Sequence, residues 1–440
     1  MIPAARLQAA IEILDDIEQS QTPADAIIRA YFRPRRYAGS KDRRAVGARV
    51  FDVIRHRARL DWWIAGAAGD MQPSSRLRVL ASLLILDEES AQTVSTLYNG
   101  EGHAPSSLSD AENQLADNLS GKLLHHDAMP AGVRFETPGW MDGMFQAIWG
   151  EAYEAEMAAL NSPAPVDIRV NTGRVSRDQA RKSLSIDNIK TEFSKLSPVG
   201  LRLIERARLE DTKAYKQGLV EVQDEGSQLI SLLCEAKPGM SVIDYCAGAG
   251  GKTLALADAM GLQGDSSGNS TLVACDVSSK RMAGMSERLK RAGVDTVQQL
   301  ILTDTDGLKT LEASAERVLV DVPCSGTGAW RRHPEARWRL TPERLKEHVI
   351  EQKNVLTAAA KLVKPGGRLI YATCSVLEEE NDAQIDDFLQ NNTDFSVLSI
   401  TDIWSEIADA PCPTSKTGLL LSPAGADTDG FYCSILKKTA

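Results

Sequence analysis

Two cysteines in matched settings hold the most chemistry in this sequence. Cys324 lies in Asp321-Val-Pro-Cys-Ser-Gly-Thr-Gly328, and Cys374 lies in Tyr371-Ala-Thr-Cys-Ser375. A lone cysteine is usually a small buried hydrophobe, whereas a thiolate is a strong nucleophile. Each of these follows an apolar run that reads as a strand, so two thiols and the Asp321 carboxylate fall at adjacent strand tips. Nucleophilic and acid–base work go together in such a place. A further tip holds Asp244-Tyr-Cys-Ala-Gly-Ala-Gly-Gly-Lys-Thr253, a glycine-rich turn between a strand and a helix. Gly248, Gly250 and Gly251 let the backbone approach a ligand closely, and the helix N-terminus favours polar or anionic groups. A triphosphate-binding P-loop needs glycine where Cys246 stands, and a dinucleotide fold needs glycine or alanine where Thr253 stands. S-adenosylmethionine suits the turn better. Its carboxylate and ammonium match a glycine turn, and Asp276, closing the second strand, can take the ribose hydroxyls.

The elements that must position these residues alternate in the manner of a parallel α/β sheet. Strands are expected over 241–245, 271–276, 297–302, 317–322 and 368–373, with helices over 279–292 and 342–363. Pro365, Gly366 and Gly367 read as the stop of the last helix, and 418–422 with 431–436 as a closing hairpin. Ahead of this lies a small α+β unit with strands at 165–171 and 201–204 and a helix at 176–184. The first ~125 residues are helical, with apolar positions at three-to-four spacing through Leu7, Ile11, Leu14 and through Val46, Val50, Val53, Ile54. The stretch from Pro130 to Pro138 reads as the exit. The expected division is therefore 1–130, 131–236 and 237–440.

Composition bounds the function. At 440 residues, 43% hydrophobic and 25% charged, the chain is an ordinary globular protein of several domains, with no run long enough to span a membrane. Acidic residues inside the first twenty positions argue against a signal peptide. Seven cysteines without paired spacing point to free thiols in the cytoplasm and to no metal site. The formal net charge of -10 gives no global attraction to nucleic acid. Between Arg33 and Arg59, however, ten Lys or Arg, including Arg35, Arg36, Arg43 and Arg44, face only Asp42 and Asp52, which suits contact with phosphates. A second basic stretch, Arg331, Arg332, His333, Arg337 and Arg339 with Trp330 and Trp338 interleaved, could hold phosphates and stack bases. A solvated or salt-bridged helix face is the alternative for each.

Taken together, Asp-x-Cys-Ala-x-x-Gly-Gly-Lys-Thr at 244–253, Asp-x-Pro-Cys-Ser-Gly-x-Gly at 321–328 and Thr-Cys-Ser at 373–375 closely resemble the Sun/Nop family of RNA cytosine-C5 methyltransferases. Ile168-Arg-Val-Asn171, Val222-Gln-Asp224 with Ser227-Gln228, and Asp429-Gly-Phe431 look like signatures of the same family. Gly39-Ser-Lys-Asp-Arg-Arg44, followed by Val53-Ile-Arg55, is similar to the NusB-like RNA-binding domain of the bacterial small-subunit ribosomal RNA branch. The resemblance implies a Rossmann-like class I methyltransferase domain behind an all-α NusB-like domain and a small α+β RNA-binding module. It implies S-adenosylmethionine held by Cys246, Ala247, Gly248, Ala249, Gly250, Gly251 and Lys252 with Asp276, Asp304 and Asp321. It implies a covalent bond from Cys374 to cytosine C6, Asp321 and Lys252 assisting, and Cys324 releasing the product. The expected substrate is 16S ribosomal RNA. A transfer RNA substrate, or a noncatalytic ribosome-assembly factor, stays open as the alternative. One departure stands out: Gly248-Ala249 replaces the Ala-Pro usual in the family's cofactor turn, and loss of the proline should loosen that loop.

Overall fold

The structure, a computed structural model, describes residues 1–67, 71–263, 269–303, 305–414 and 417–439. They form two compact units, Met1–Ser162 with Trp330–Leu340, and Pro163–Ala329 with Thr341–Ala440.

The first unit is helical. Helix Pro3–Glu18 opens on a proline, whose missing N–H the first turn would leave unpaired anyway. Its apolar stripe, Leu7, Ala10, Leu14 and Ile17, is buried. Helix Ser40–Arg55 is capped by Asp42, which accepts the Gly39 N–H at 3.0 Å, and buries Val46, Val50, Val53 and Ile54. Both pack on helix Ser75–Ile85, which is capped by Ser74 and buried from Leu77 to Ile85.

Pro130, where the exit is expected, N-caps the short helix Ala131–Arg134. Helices Asp142–Trp149 and Tyr153–Asn161 continue the unit to residue 162. The tie is polar: Glu136, fully buried, accepts the Ala58 N–H at 2.7 Å and pairs with Arg59 at 2.8 Å. Arg55 donates to the carbonyls of Asn161, Ser162 and Arg331. Composition alone hides such pairings.

The second unit opens with a small antiparallel sheet of β1 (Asp167–Val170), β2 (Thr191–Phe193), β3 (Gly200–Leu203) and β4 (Val220–Val222) in the order β2-β3-β1-β4. Helix Arg177–Ile186, with a Ser176/Gln179 capping box, covers it through Ala180 and Leu184 on Ile168, Val170 and Leu201.

The large sheet contains β5 (Ser241–Asp244), β6 (Thr271–Asp276), β7 (Gln298–Ile301), β8 (Ala315–Asp321), β9 (Val363–Thr373), β10 (Phe395–Leu398), β11 (Leu419–Leu421) and β12 (Phe431–Lys438). The order is β7-β6-β5-β8-β9-β12-β10, with β11 paired to β12. Strands β5 to β9 are parallel, and β12 runs antiparallel between β9 and β10. Continuous apolar runs suit strands covered on both faces. Val242, Leu272, Ala274, Leu319, Ile370 and Ala372 enter one core, while Ile243, Val273, Cys275, Val318, Val320, Leu369 and Tyr371 enter the other.

One expectation is corrected here. Pro365, Gly366 and Gly367 do not stop the preceding helix, which ends at Ala360; they lie inside β9, where a bulge against β8 and a positive φ at Gly366 absorb them. The expected closing hairpin is present as β11 and β12, but β12 also fills an interior place in the sheet, and β10 carries no sequence signal strong enough to separate it from loop. Strand order reverses between β5 and β8, so the crevice for a ligand opens at their carboxyl ends.

Candidate active site

The glycine-rich turn leaves β5 at Asp244 and enters helix Gly251–Ala259. The Ala247 N–H donates to the Cys275 carbonyl at 2.8 Å and the Gly248 N–H to Asp276 Oδ2 at 2.9 Å, so the turn hangs on the end of β6. Gly250 has φ +81°, and a Cβ there would lie 2.4 Å from Met285 Cγ; no other residue fits. Asp276, buried, also accepts the Ser278 N–H at 2.7 Å and the Arg281 guanidinium at 2.8 Å. Beneath the turn, Thr253 Oγ1 donates to Asp244 Oδ2 at 2.6 Å, while the buried Oδ1 has no partner among the described residues. Burial pushes the Asp244 carboxyl up to about 7; the Thr253 hydroxyl and Lys252 pull it down, and Asp321 pushes it further up.

Parallel pairing of β8 with β9, Asp321 opposite Ala372, sets the two cysteine loops side by side. Cys324 Sγ and Cys374 Sγ are 3.4 Å apart, and Lys252 Nζ lies 2.6 Å from Asp321 Oδ2. Burial lowers the Lys252 amine, but the charges of Asp321, Cys374 and Asp244 outweigh it and hold the ammonium above its ordinary value. Cys324 is held well above its ordinary value, first by its hydrogen bond to Cys374, then by burial and by the charge of Cys374. Burial raises Cys234, Cys246, Cys275 and Cys433. These four are poor nucleophiles.

A buried polar cluster fixes both loops. Glu380 accepts the Ser325 N–H at 2.8 Å, the Ser325 hydroxyl, and Gln352 Nε2 at 2.9 Å; Gln352 also donates to the Pro323 carbonyl. Thr373 Oγ1 donates to Asn381 Oδ1 at 2.6 Å, and Asn381 Nδ2 to the Ser375 carbonyl at 3.0 Å. The Gly328 N–H donates to the Cys374 carbonyl at 2.9 Å, and the Gly430 N–H to the Gly328 carbonyl at 2.8 Å. The Asp-Gly-Phe signature therefore braces the cysteine loops through Gly430.

The family described as 16S rRNA methyltransferase RsmB/F matches residues 231–437, and its RsmF/B-like ferredoxin-like domain matches residues 137–210. A ribosomal RNA small subunit methyltransferase B from Pseudomonas syringae is 33% identical over 72% of this chain and 68% of the relative. This chain belongs to the RsmB/F family. A Synechocystis protein named "Probable ribosomal RNA small subunit methyltransferase B" is 29% identical over 98% of this chain and 99% of its own. The crystal structure of PH0851 aligns over 100% of this chain and 99% of that one, with 25% identity and a TM-score of 0.79. The Rossmann-like class I methyltransferase fold expected from the motifs is the fold observed.

In this RsmB/F-family chain one cavity of about 600 Å³ is lined by Cys246, Ala247, Gly248, Ala249, Gly251, Lys252, Asp276, Asp321, Cys324 and Cys374. Gly250, buried in the turn against Met285, does not line it. Asp304 lies outside the described residues. Asp244, which begins the turn motif, and Arg281 and Arg288 also line the cavity, and none of the three carries a signal of its own in the sequence. Gln223 and Ser227, to which the sequence assigns no role, line it too. Glu380 was hidden in the acidic run Glu378–Glu380, which reads as a solvated patch.

The two basic stretches separate. Arg33, Arg36, Lys41 and Arg44 are exposed in the first unit, with no ion-pair partner among the described residues. Arg35 stacks on Tyr31 at 3.7 Å, and Arg43 donates to the Ala38 carbonyl. The stretch at 330–340 is no stacking surface. Trp330 is 0% and Arg331 3% exposed, and Arg332 is half-buried. Trp330 packs on Phe145, Arg337 lies over its ring and donates to Asn161 Oδ1, and Trp338 Nε1 donates to the Ile54 carbonyl. An aromatic–basic alternation reads alike whether it is exposed or buried, and here hydrophobic burial decided.

Proposed function

We propose that this protein transfers a methyl group to C5 of a cytosine in 16S ribosomal RNA, through a covalent bond between Cys374 and C6 of the base. The observation that carries this is the pair of thiols 3.4 Å apart beside the Lys252–Asp321 ion pair, in the cavity of the glycine turn. Cytosine C5 is too weak a nucleophile to be methylated directly. Attack by the Cys374 thiolate at C6 makes C5 enamine-like. Asp321 accepts the exocyclic N4–H, and the Lys252 ammonium supplies positive charge toward N3 as the ring takes up electrons. Cys324 then acts on release. Its pKa is raised chiefly by its bond to Cys374, a cause that ends once Cys374 is bonded to carbon, so its thiol becomes more acidic. Cys324 gives its proton to water and takes the one leaving C5 while the Cys374–C6 bond breaks. One proton is released per turnover.

S-adenosylmethionine, when bound, supplies an electrophilic methyl on a sulfonium. The residues fit it. Asp244 Oδ1 is a buried acceptor without a donor among the described residues, which suits a cationic ligand, and Asp276 offers a carboxylate to a diol. Cys246 to Lys252, Asp276 and Asp321 would hold it, with Asp304 as a further candidate. The DNA cytosine class, which uses the Pro-Cys thiol as nucleophile, has no need of Cys374. The seven cysteines are free and the site needs reduced thiols, which fits the cytoplasm. The deciding experiment is transfer of labelled methyl to purified 16S and transfer RNA, with the modified base mapped. Label on transfer RNA alone would replace the ribosomal substrate, and no label on either would return the chain to a binding role.

Two expectations follow. A cation at Asp244 needs the ionised carboxylate, and in the free folded protein the proton leaves near pH 7. Affinity for S-adenosylmethionine should therefore fall as pH drops below 7, by up to ~10-fold per pH unit. Isothermal titration at several pH values checks this, and Asp244→Asn should flatten the profile. The basic patch gives the second. Replacing Arg33, Arg36, Lys41 and Arg44 with glutamine should weaken RNA binding and lower the slope of log affinity against log salt by about 0.7 to 0.9 for each phosphate no longer neutralised. A filter-binding salt series measures it, and an unchanged slope would make the patch a solvated face.

A further inference from the structure

Helix Ser279–Ala292 presents three successive side chains to the glycine turn at positions i, i+4 and i+7, which share one helix face. Arg281 reaches Asp276, Met285 fills the space under Gly250, and Arg288 Nη1 donates to the Ala249 carbonyl at 2.7 Å. Arg288 is itself held from behind. Its Nη2 lies 3.1 Å from Glu221 Oε2 in β4, and Glu221, buried, also pairs with Arg291. The turn needs this support. Ala249 is exposed, Gly248 has φ +55°, and no side chain packs within 4 Å of where a Cβ on Gly248 would stand. Glycine followed by alanine gives the free loop more conformations to lose than a proline would.

We infer that Arg288 is a positioning residue for S-adenosylmethionine binding, its bridge from Glu221 to the Ala249 carbonyl holding the turn as a proline at 249 otherwise would. The inference rests on the cofactor assignment proposed above. The expected loosening of the Gly248-Ala249 turn is thus offset from outside the loop, by a planar guanidinium that bonds the turn through one nitrogen and the scaffold through another. Arg288 touches the turn through its backbone, so its effect falls on cofactor affinity before it falls on the chemical step.

The test is a cycle read by isothermal titration with S-adenosylmethionine, with the KM-against-kcat split as a second readout. Arg288→Met, which keeps the stem and removes the donors, should weaken binding about tenfold. Arg288→Lys, able to make one of the two bonds, should fall between, and it replaces the methionine variant if that one does not fold. In a chain carrying Ala249→Pro, which leaves Gly248 free to keep its positive φ, the same Arg288 substitution should cost less than about threefold, because the loop is then stiffer without it. Failure of the unaltered protein to bind S-adenosylmethionine would overturn the cofactor assignment and this inference with it. Binding by the unaltered protein with no change in Arg288→Met, or equal losses in both backgrounds, would overturn the role of Arg288 alone.

Discussion

Cys374→Ala should abolish turnover and leave no covalent protein–RNA species, whereas Cys324→Ala should accumulate one that survives denaturation when S-adenosylmethionine is present. The two sulfurs lie 3.4 Å apart. At that separation position alone does not assign their roles. In the scheme proposed above Cys374 attacks C6, and Cys324, whose thiol is held up by its bond to Cys374 and by burial, acts on release. Removal of Cys374 deletes the bond-forming atom, and the rate should fall by several orders of magnitude. Removal of Cys324 leaves attack and methyl transfer intact but strands the C5 proton, so the adduct builds up. A denaturing gel of each variant mixed with substrate RNA separates the outcomes. An adduct with Cys374→Ala and none with Cys324→Ala would exchange the roles.

Gly328→Ala should be nearly as damaging without touching a reactive atom. A Cβ at 328 would lie 2.1 Å from the Gly430 carbonyl oxygen and 2.6 Å from Gly430 Cα, both backbone atoms that cannot turn aside. Relief requires the loop after β8 to part from the start of β12, and the bond from the Gly328 N–H to the Cys374 carbonyl goes with it. Displacing a reacting group by about 1 Å can lower the rate ~100-fold. Overpacking should also cost about 1–3 kcal/mol of stability. Steady-state rates and a urea melt measure the two losses. Gly284→Ala is the control. It sits exposed in helix Ser279–Ala292 with nothing within 4 Å, and there alanine should stabilise by roughly 0.5–1 kcal/mol. Full activity in Gly328→Ala would mean that the loops are not coupled through this contact.

The motifs were legible because each closes an apolar run, and a strand tip is where a sheet of this class exposes polar groups. Asp321, Cys324 and Cys374 therefore stood out together, as did the glycine turn. Glu380 did not, since an acidic residue among acidic residues looks solvated until its donors, Ser325 and Gln352, arrive from other elements. Arg288 was silent for the same reason: its partner is a carbonyl 39 residues away, and backbone groups leave no trace in sequence. The fold misled in two places where a local signal has two uses. Pro365-Gly366-Gly367 can stop a helix or bulge a strand, and Trp330 to Arg339 can grip a nucleic acid or pack a core. In both cases the sheet or the helical unit supplied the answer.

The segment Trp330–Leu340 leaves the second unit after Ala329, completes the first, and returns at Thr341. The helical unit is therefore not a cassette. No single cut in the chain separates the two units intact: ending it at residue 162 would leave the pocket around Phe145 and Asn161 without Trp330 and Arg337, and starting it at residue 163 would expose those side chains to water. Synthesis meets the same constraint: the first 162 residues lack part of their core until a stretch nearly 170 residues further on has been added, so the helical unit is complete only after residue 340.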